Sequence, residues 1–225
     1  MPRQPLLPGF RDVKLSFPMN ALELHTEMAE LIGQCVGLWA QIEIQMALIL
    51  SALMKSHSDA AIAVFLSIRN SRQQQEALAT AAQTTLVGRD GEIFLAISNV
   101  YRSLDSQRND LVHGVYAVSD DLPNALLWID PKNHTNFFAT LFEKIKTDKP
   151  VSIDQIKKDT FVYRPNDLET LIEQMEELGA AANFFATNLR EPGNFLASEL
   201  NRAMCEGPLM QQELLRIRNK SNQTS

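Results

Sequence analysis

The sequence predicts an all-α protein, an antiparallel helical bundle of four or five main helices with a small β-hairpin insertion. Three observations carry this expectation. Apolar residues recur at steps of three and four over long stretches, which is the helical period. Nine glycines and ten prolines in 225 residues are few, and disfavour a turn-rich β sandwich. Hydrophobic residues at 45% and charged residues at 21% match globular averages, so wholesale disorder and fibrous classes are excluded.

Residues 1–19 carry Pro2, Pro5, Pro8 and Pro18 without a sustained period and are expected to form an extended arm. Residues 20–225 are expected to form a single helical domain. Asn20 with Glu23 has capping-box spacing. The stripe Met28, Leu31, Cys35, Leu38, Ile42, Met46, Ile49 and Leu53 then predicts one long amphipathic helix. Gly33 and Gly37 inside it suggest either close approach of a second helix or a bend. Short helices are expected over 58–68 and from Ser71 to Gly88. Asp90 opens a longer one whose seam reads Phe94, Ile97, Tyr101, Leu104, Arg108, Leu111 and Val115.

After Gly114 the pattern changes. Two short apolar runs, 115–118 and 125–129, flank Asp120, Asp121 and Pro123, which reads as a hairpin opening an insertion around 115–163. Residues 130–160 are polar and Lys-rich around an apolar island from Phe137 to Phe142, and Thr160 to Tyr163 suggests a third short strand. Asn166 and Glu169 form a second capping box. Leu168, Leu171, Ile172, Met175, Leu178, Ala182 and Phe185 make the last long stripe. A C-terminal tail with short helices over 195–204 and 209–217 completes the chain.

Twenty-one Lys and Arg against twenty-seven Asp and Glu give a net charge of −6. No global positive field exists to gather nucleic acid or anionic lipid, so neither DNA specificity nor a membrane partner is expected. The longest unbroken apolar run, Met46 to Met54, is too short for a bilayer. Cys35 and Cys205 lie far apart, which suits a reduced, cytoplasmic protein. Phosphate-cradling glycine loops and nucleophile elbows are absent from the sequence. None of His25, His57, His113 and His134 follows a Glu at the di-iron spacing, and the cysteines lack zinc spacing. The expectation is no cofactor and no metal.

One constellation remains. Arg108 is the polar member of an otherwise apolar seam, and a core-facing guanidinium needs counter-charges or a ligand. Asp105, Asn109 and His113 follow at steps of four, so they share a helix face that the Arg108 side chain can reach. His113 falls in the last turn, where the helix dipole favours a cation, and Gly114 is placed to stop the helix as a left-handed residue. On spacing alone, a structural ion pair and a functional site are both open readings.

The segment Arg108-Asn109-Asp110-Leu111-Val112-His113-Gly114 resembles the signature of the HEPN superfamily: an Arg, a polar residue, and a His after four to six intervening positions. Trp39-Ala40-Gln41-Ile42-Glu43 is similar to a W-A-x-I/L-E stretch of many bacterial members. The resemblance covers about 20–117 and 160–190. It implies a homodimer of helical bundles in which two motifs meet across a cleft as a metal-independent endoribonuclease, a toxin or antiviral defence component with an RNA substrate and an antitoxin protein as partner. Arg108, Asn109 and His113 would be catalytic; Asp105 and Glu43 would support them. Steps of four also predict Trp39 in the core near the motif helix and Glu43 approaching Arg108. Lys144, Lys146, Lys149, Lys157 and Lys158 are either a basic rim or a solvated loop. Two other readings stand beside the nuclease. One is a non-catalytic HEPN-like dimer that binds RNA, nucleotide or a partner protein; the other is a helical adaptor in which Arg108 only pairs with carboxylates.

Overall fold

A computed structural model describes residues 4–55, 58–147 and 153–223. In chain order the elements are β1 (Gln4–Pro5), α1 (Thr26–Leu53), α2 (Ser58–Ser67), α3 (Ser71–Thr85), α4 (Gly88–His113), β2 (Val115–Ala117), β3 (Leu126–Ile129), α5 (Pro131–Lys146), α6 (Asp154–Lys158), β4 (Thr160–Tyr163), α7 (Pro165–Arg190), α8 (Phe195–Cys205) and α9 (Pro208–Gln223). The protein is mostly helical, with one small antiparallel sheet in the order β1-β4-β3-β2. The chain divides into two compact units, residues 1–36 with 106–172, and residues 37–105 with 173–225. The long helices α1, α4 and α7 contribute residues to both.

The first unit is built on the sheet. Ala117, Leu127 and Val162 sit opposite one another across β2, β3 and β4. They form a buried cluster with Leu6, Val13 and Ala125, against which Phe10, Leu15, Phe17 and Leu122 pack. The described part of the expected extended arm is therefore woven into the fold. Gln4 pairs with Val162, and Ser16 exchanges both backbone hydrogen bonds with Val118, at 3.0 and 2.9 Å. Proline spacing suggested an arm, but proline is tolerated on an edge strand, and the apolar residues between the prolines have a face to bury. α5 occupies what reads in sequence as a polar stretch. Its start is well specified, with Asp130 Oδ1 accepting from the Lys132 N–H at 2.8 Å and Pro131 in the first turn.

In the second unit, Ile42, Met46, Ile49, Leu53, Phe65, Leu78, Ile97, Tyr101, Leu104, Leu178 and Phe185 are buried. Asn70 caps α3 by accepting from the Arg72 and Gln73 N–H groups, and the Glu177 carboxylate caps α9 from a distance by accepting from those of Leu209 and Met210. A Cβ on Gly37 would meet nothing within 4 Å, and the same holds for Gly33 in the first unit. Neither glycine marks a close helix approach; both lie on the exposed face of α1.

α1 begins at Thr26 rather than at the Asn20 box, because residues 20–25 close isolated turns through bonds such as Glu23 N–H to Asn20 C=O. α1 is also long and apolar enough to cross a membrane by length and composition, a match that counting unbroken apolar runs overlooks, and 44% of the qualifying window is buried within the protein. Met28, Cys35, Trp39, Ile42 and Met46 form its buried stripe.

Candidate functional site

The last carbonyls of a helix have no partner inside it. At the C-terminal end of α4 the sheet supplies them. The Asp110 carbonyl accepts from the Gly114 N–H at 3.0 Å and from the Trp128 Nε1–H at 2.6 Å, and the Leu111 carbonyl accepts from the Tyr116 hydroxyl. Tyr116, Trp128 and Phe161 are opposed on β2, β3 and β4, with the Trp128 and Phe161 rings 5.9 Å apart. One aromatic row thus ties the helix end to the sheet. Burial pushes the Tyr116 phenol well above its ordinary range, and nearby Cys35 adds to the shift; the Cys35 thiol is itself pushed up to about 11 by burial.

Gly114 has a different reason from the one its sequence position suggested. The glycines with positive φ among the described residues are Gly88 and Gly193, so Gly114 does not stop the helix in a left-handed conformation. Instead, a Cβ at Gly114 would lie 1.6 Å from Trp128 Nε1 and 2.2 Å from its Cδ1. The indole occupies the space that any other residue's side chain would need.

Within the first unit, Arg108 and Asn109 are half-buried, and Arg108 Nη1 donates to Asn109 Oδ1 at 2.9 Å. His113 is exposed in the last turn of α4. The structure thus joins Arg108 to Asn109, so the Asn109 acceptor orients the guanidinium, a role that spacing did not suggest. Within the second unit, Asp105 is buried and accepts from the Ser71 hydroxyl. Glu43 accepts from Trp39 Nε1 at 3.1 Å, and buried Trp39 stacks on Tyr101 of α4 with centroids 4.9 Å apart and planes at 17°. Trp39 therefore sits in the core against the motif helix, as its spacing predicts.

The lysine group separates into different environments. Lys157 is buried and its ammonium donates to the Arg11 carbonyl, which removes it from any basic rim. Lys146 and Lys158 are exposed and Lys144 is half-buried; Lys149 lies outside the described residues. Sequence reasoning missed Tyr116 and Trp128 as supports of the motif. The available signal was an indole inside a four-residue buried strand, because a buried Trp N–H needs an acceptor.

Among the described residues, no group of three or more His, Cys, Asp or Glu side chains is placed to hold a metal ion. Comparison with protein-family models, curated proteins and solved structures returns no match to this chain.

Proposed function

We propose that the protein is a metal-independent endoribonuclease of the HEPN type, acting in the cytoplasm as a homodimer of antiparallel helical bundles, in a toxin or antiviral defence role with an antitoxin protein as partner. The observation that carries this reading is the end of α4, where the Arg108 guanidinium is oriented by Asn109, and an exposed His113 follows Asn109 by one helical turn on a backbone fixed by Trp128 and Tyr116. A guanidinium and an imidazole held at one rigid helix end suit phosphodiester chemistry.

In this mechanism a neutral His113 takes the proton of a ribose 2′-hydroxyl, and the freed oxygen forms a bond to the adjacent phosphorus. The partner subunit's His113, as imidazolium, gives its proton to the departing 5′-oxygen as the P–O5′ bond breaks. The two imidazoles exchange protonation states, and the product is a 2′,3′-cyclic phosphate with a free 5′-hydroxyl. Arg108 binds the equatorial oxygens while charge accumulates on phosphorus. Glu43 approaching Arg108 belongs to the same proposal.

The test is cleavage of labelled single-stranded RNA by purified protein in EDTA, with the ends identified by mass spectrometry. Wild type should yield cyclic phosphate ends. Loss of an acid–base group costs roughly 10²–10⁴-fold and loss of a charge-stabilising donor about 10²–10³-fold, so His113→Ala and Arg108→Ala should show no detectable cleavage while light scattering still reports dimers. No cleavage by wild type, or full cleavage by His113→Ala, sinks the nuclease and leaves the non-catalytic dimer.

A further inference from the structure

We propose that a cavity between α5 and α6 is a second site, built for a free aliphatic amino acid in its zwitterionic form. The cavity has a volume of about 180 Å³. An apolar cavity of about 150 Å³ holds benzene, so this one takes a molecule of roughly six to nine non-hydrogen atoms. It is well below the ~300–1,000 Å³ of pockets for drug-sized ligands.

The cavity stands apart from the α4 end. His134 and Phe138 of α5 pack on the Phe17 ring at 5.1 and 5.9 Å, and Phe17 packs against the buried cluster of Ala117, Leu127 and Val162. Side chains alternate along a strand, so the row of Tyr116, Trp128 and Phe161 that holds α4 is on the other face of the sheet. A ligand here is therefore separate from chemistry at Arg108 and His113.

The lining selects the ligand. Lys144, in the last turn of α5, and Asp159, between α6 and β4, are both half-buried and both line the cavity. Opposite charges beside a low-dielectric wall attract strongly. Among the described residues, however, they pair neither with each other nor with a third group. A molecule that carries its own ammonium and carboxylate answers both at once: its ammonium donates to the Asp159 carboxylate, and its carboxylate accepts from the Lys144 ammonium. An anion alone would be left facing Asp159, and a cation alone would be left facing Lys144. The carboxamides of Asn133, Asn136 and Gln155 also line the cavity and make no hydrogen bond within the protein among the described residues, so donors and acceptors remain for the same two ligand groups. Buried Ile156, with Phe137 and Leu141, supplies the apolar wall that an aliphatic side chain needs.

This lining is held in place by the fold itself. Thr160 of β4 donates its hydroxyl to the Ile156 carbonyl at 2.7 Å, and Lys157 donates its ammonium to the Arg11 carbonyl, so α6 is fastened both to the sheet and to the N-terminal segment. The Asp159 N–H donates to the Ile156 carbonyl at 3.1 Å and keeps the acidic residue on that turn. On α5, Phe137 is braced edge-to-face by Phe138 at 5.4 Å. A preformed hollow with a few placed polar groups is the usual form of a small-molecule site.

The experiment is isothermal titration calorimetry of the full chain with L-leucine, glycine, isocaproate and isoamylamine, the last two being leucine without its ammonium and without its carboxylate. Leucine should bind at one molecule per chain. Each one-charge analogue loses a charge-assisted hydrogen bond and should bind roughly 10- to 100-fold more weakly. Glycine, which lacks the side chain, should also bind roughly 10- to 100-fold more weakly. Asp159→Asn should weaken leucine but not isocaproate, and Lys144→Gln should weaken leucine but not isoamylamine. A variant that lost folding would instead weaken both members of its pair alike, so the paired selectivity reads the site even where the thermal midpoint falls. No heat from leucine, equal affinity for leucine and either one-charge analogue, or wild-type leucine affinity in both variants overturns the proposal.

Discussion

Replacing Gly114 with Ala adds one methyl group at a position where the Trp128 indole already stands. The new Cβ would lie 1.6 Å from Trp128 Nε1, whereas ordinary contact begins at 3.4 Å, so the ring must retreat by about 2 Å. That retreat breaks the 2.6 Å bond to the Asp110 carbonyl and draws the indole N–H away from its acceptor within a buried strand. Overpacking costs roughly 1–3 kcal/mol and a stranded buried donor about 1–3 kcal/mol. Against this, removing a glycine favours the folded chain by about 1 kcal/mol at most. The expected net loss is about 1–5 kcal/mol, opposite in sign to the propensity effect. Urea unfolding followed by circular dichroism measures it, in the wild-type and Trp128→Val backgrounds. In the second background the clash is gone, and Gly114→Ala should cost less than ~1 kcal/mol, a double-mutant coupling that isolates the contact. Gly114→Ala as stable as wild type, or the same penalty in both backgrounds, refutes the steric account.

Three further outcomes follow from the same structure. Tyr116→Phe removes the hydroxyl that binds the Leu111 carbonyl; it should cost about 1 kcal/mol in urea unfolding and, on the proposed nuclease reading, lower the turnover number more than KM, because it loosens the turn carrying His113. Ser71→Ala deletes a hydrogen bond to the buried Asp105 carboxylate and should destabilise by about 1.5–3 kcal/mol in urea unfolding. The Cys35 thiol, raised from 9.0 to about 11 by burial, binds its proton more tightly folded than unfolded. Its contribution is whole below pH 9 and is lost as pH rises through 11, so the urea midpoint of wild type should fall across that window more than that of Cys35→Ala.

The helices were legible where burial repeats locally. Met28, Cys35, Ile42 and Met46 on α1, and Phe94, Ile97, Tyr101 and Leu104 on α4, each sit one or two turns from the next, so they report the same face. On α1 the buried stripe includes Ile32 and Trp39, while Leu31 and Leu38 are only half-buried, a rotation that spacing alone leaves undetermined. α5 was readable from Asp130 and Pro131 but hidden by its lysines, which crowd its last turn. The strands β2, β3 and β4 announced themselves by short apolar runs; their pairing with Gln4 and Ser16 did not, because a ladder partner far along the chain leaves no local trace. The motif residues Arg108, Asn109 and His113 were visible as types in a pattern. Their geometry was not, because Gly114 is set by the volume of Trp128 and the helix end by Tyr116, contacts made by the sheet.

The arm that closes the sheet also fixes an order of events during synthesis. Gln4 emerges first, yet its ladder partner Val162 and its side-chain partner Arg164 come late, Arg164 being 160 residues further on. At about 5–20 residues per second, Leu6 and Val13 wait roughly 8–30 s before β4 exists to complete the surface that buries them. A chain released before residue 160 would carry these side chains uncovered, and so would be presented to chaperones and proteases, while in a finished chain β4 is there to cover them.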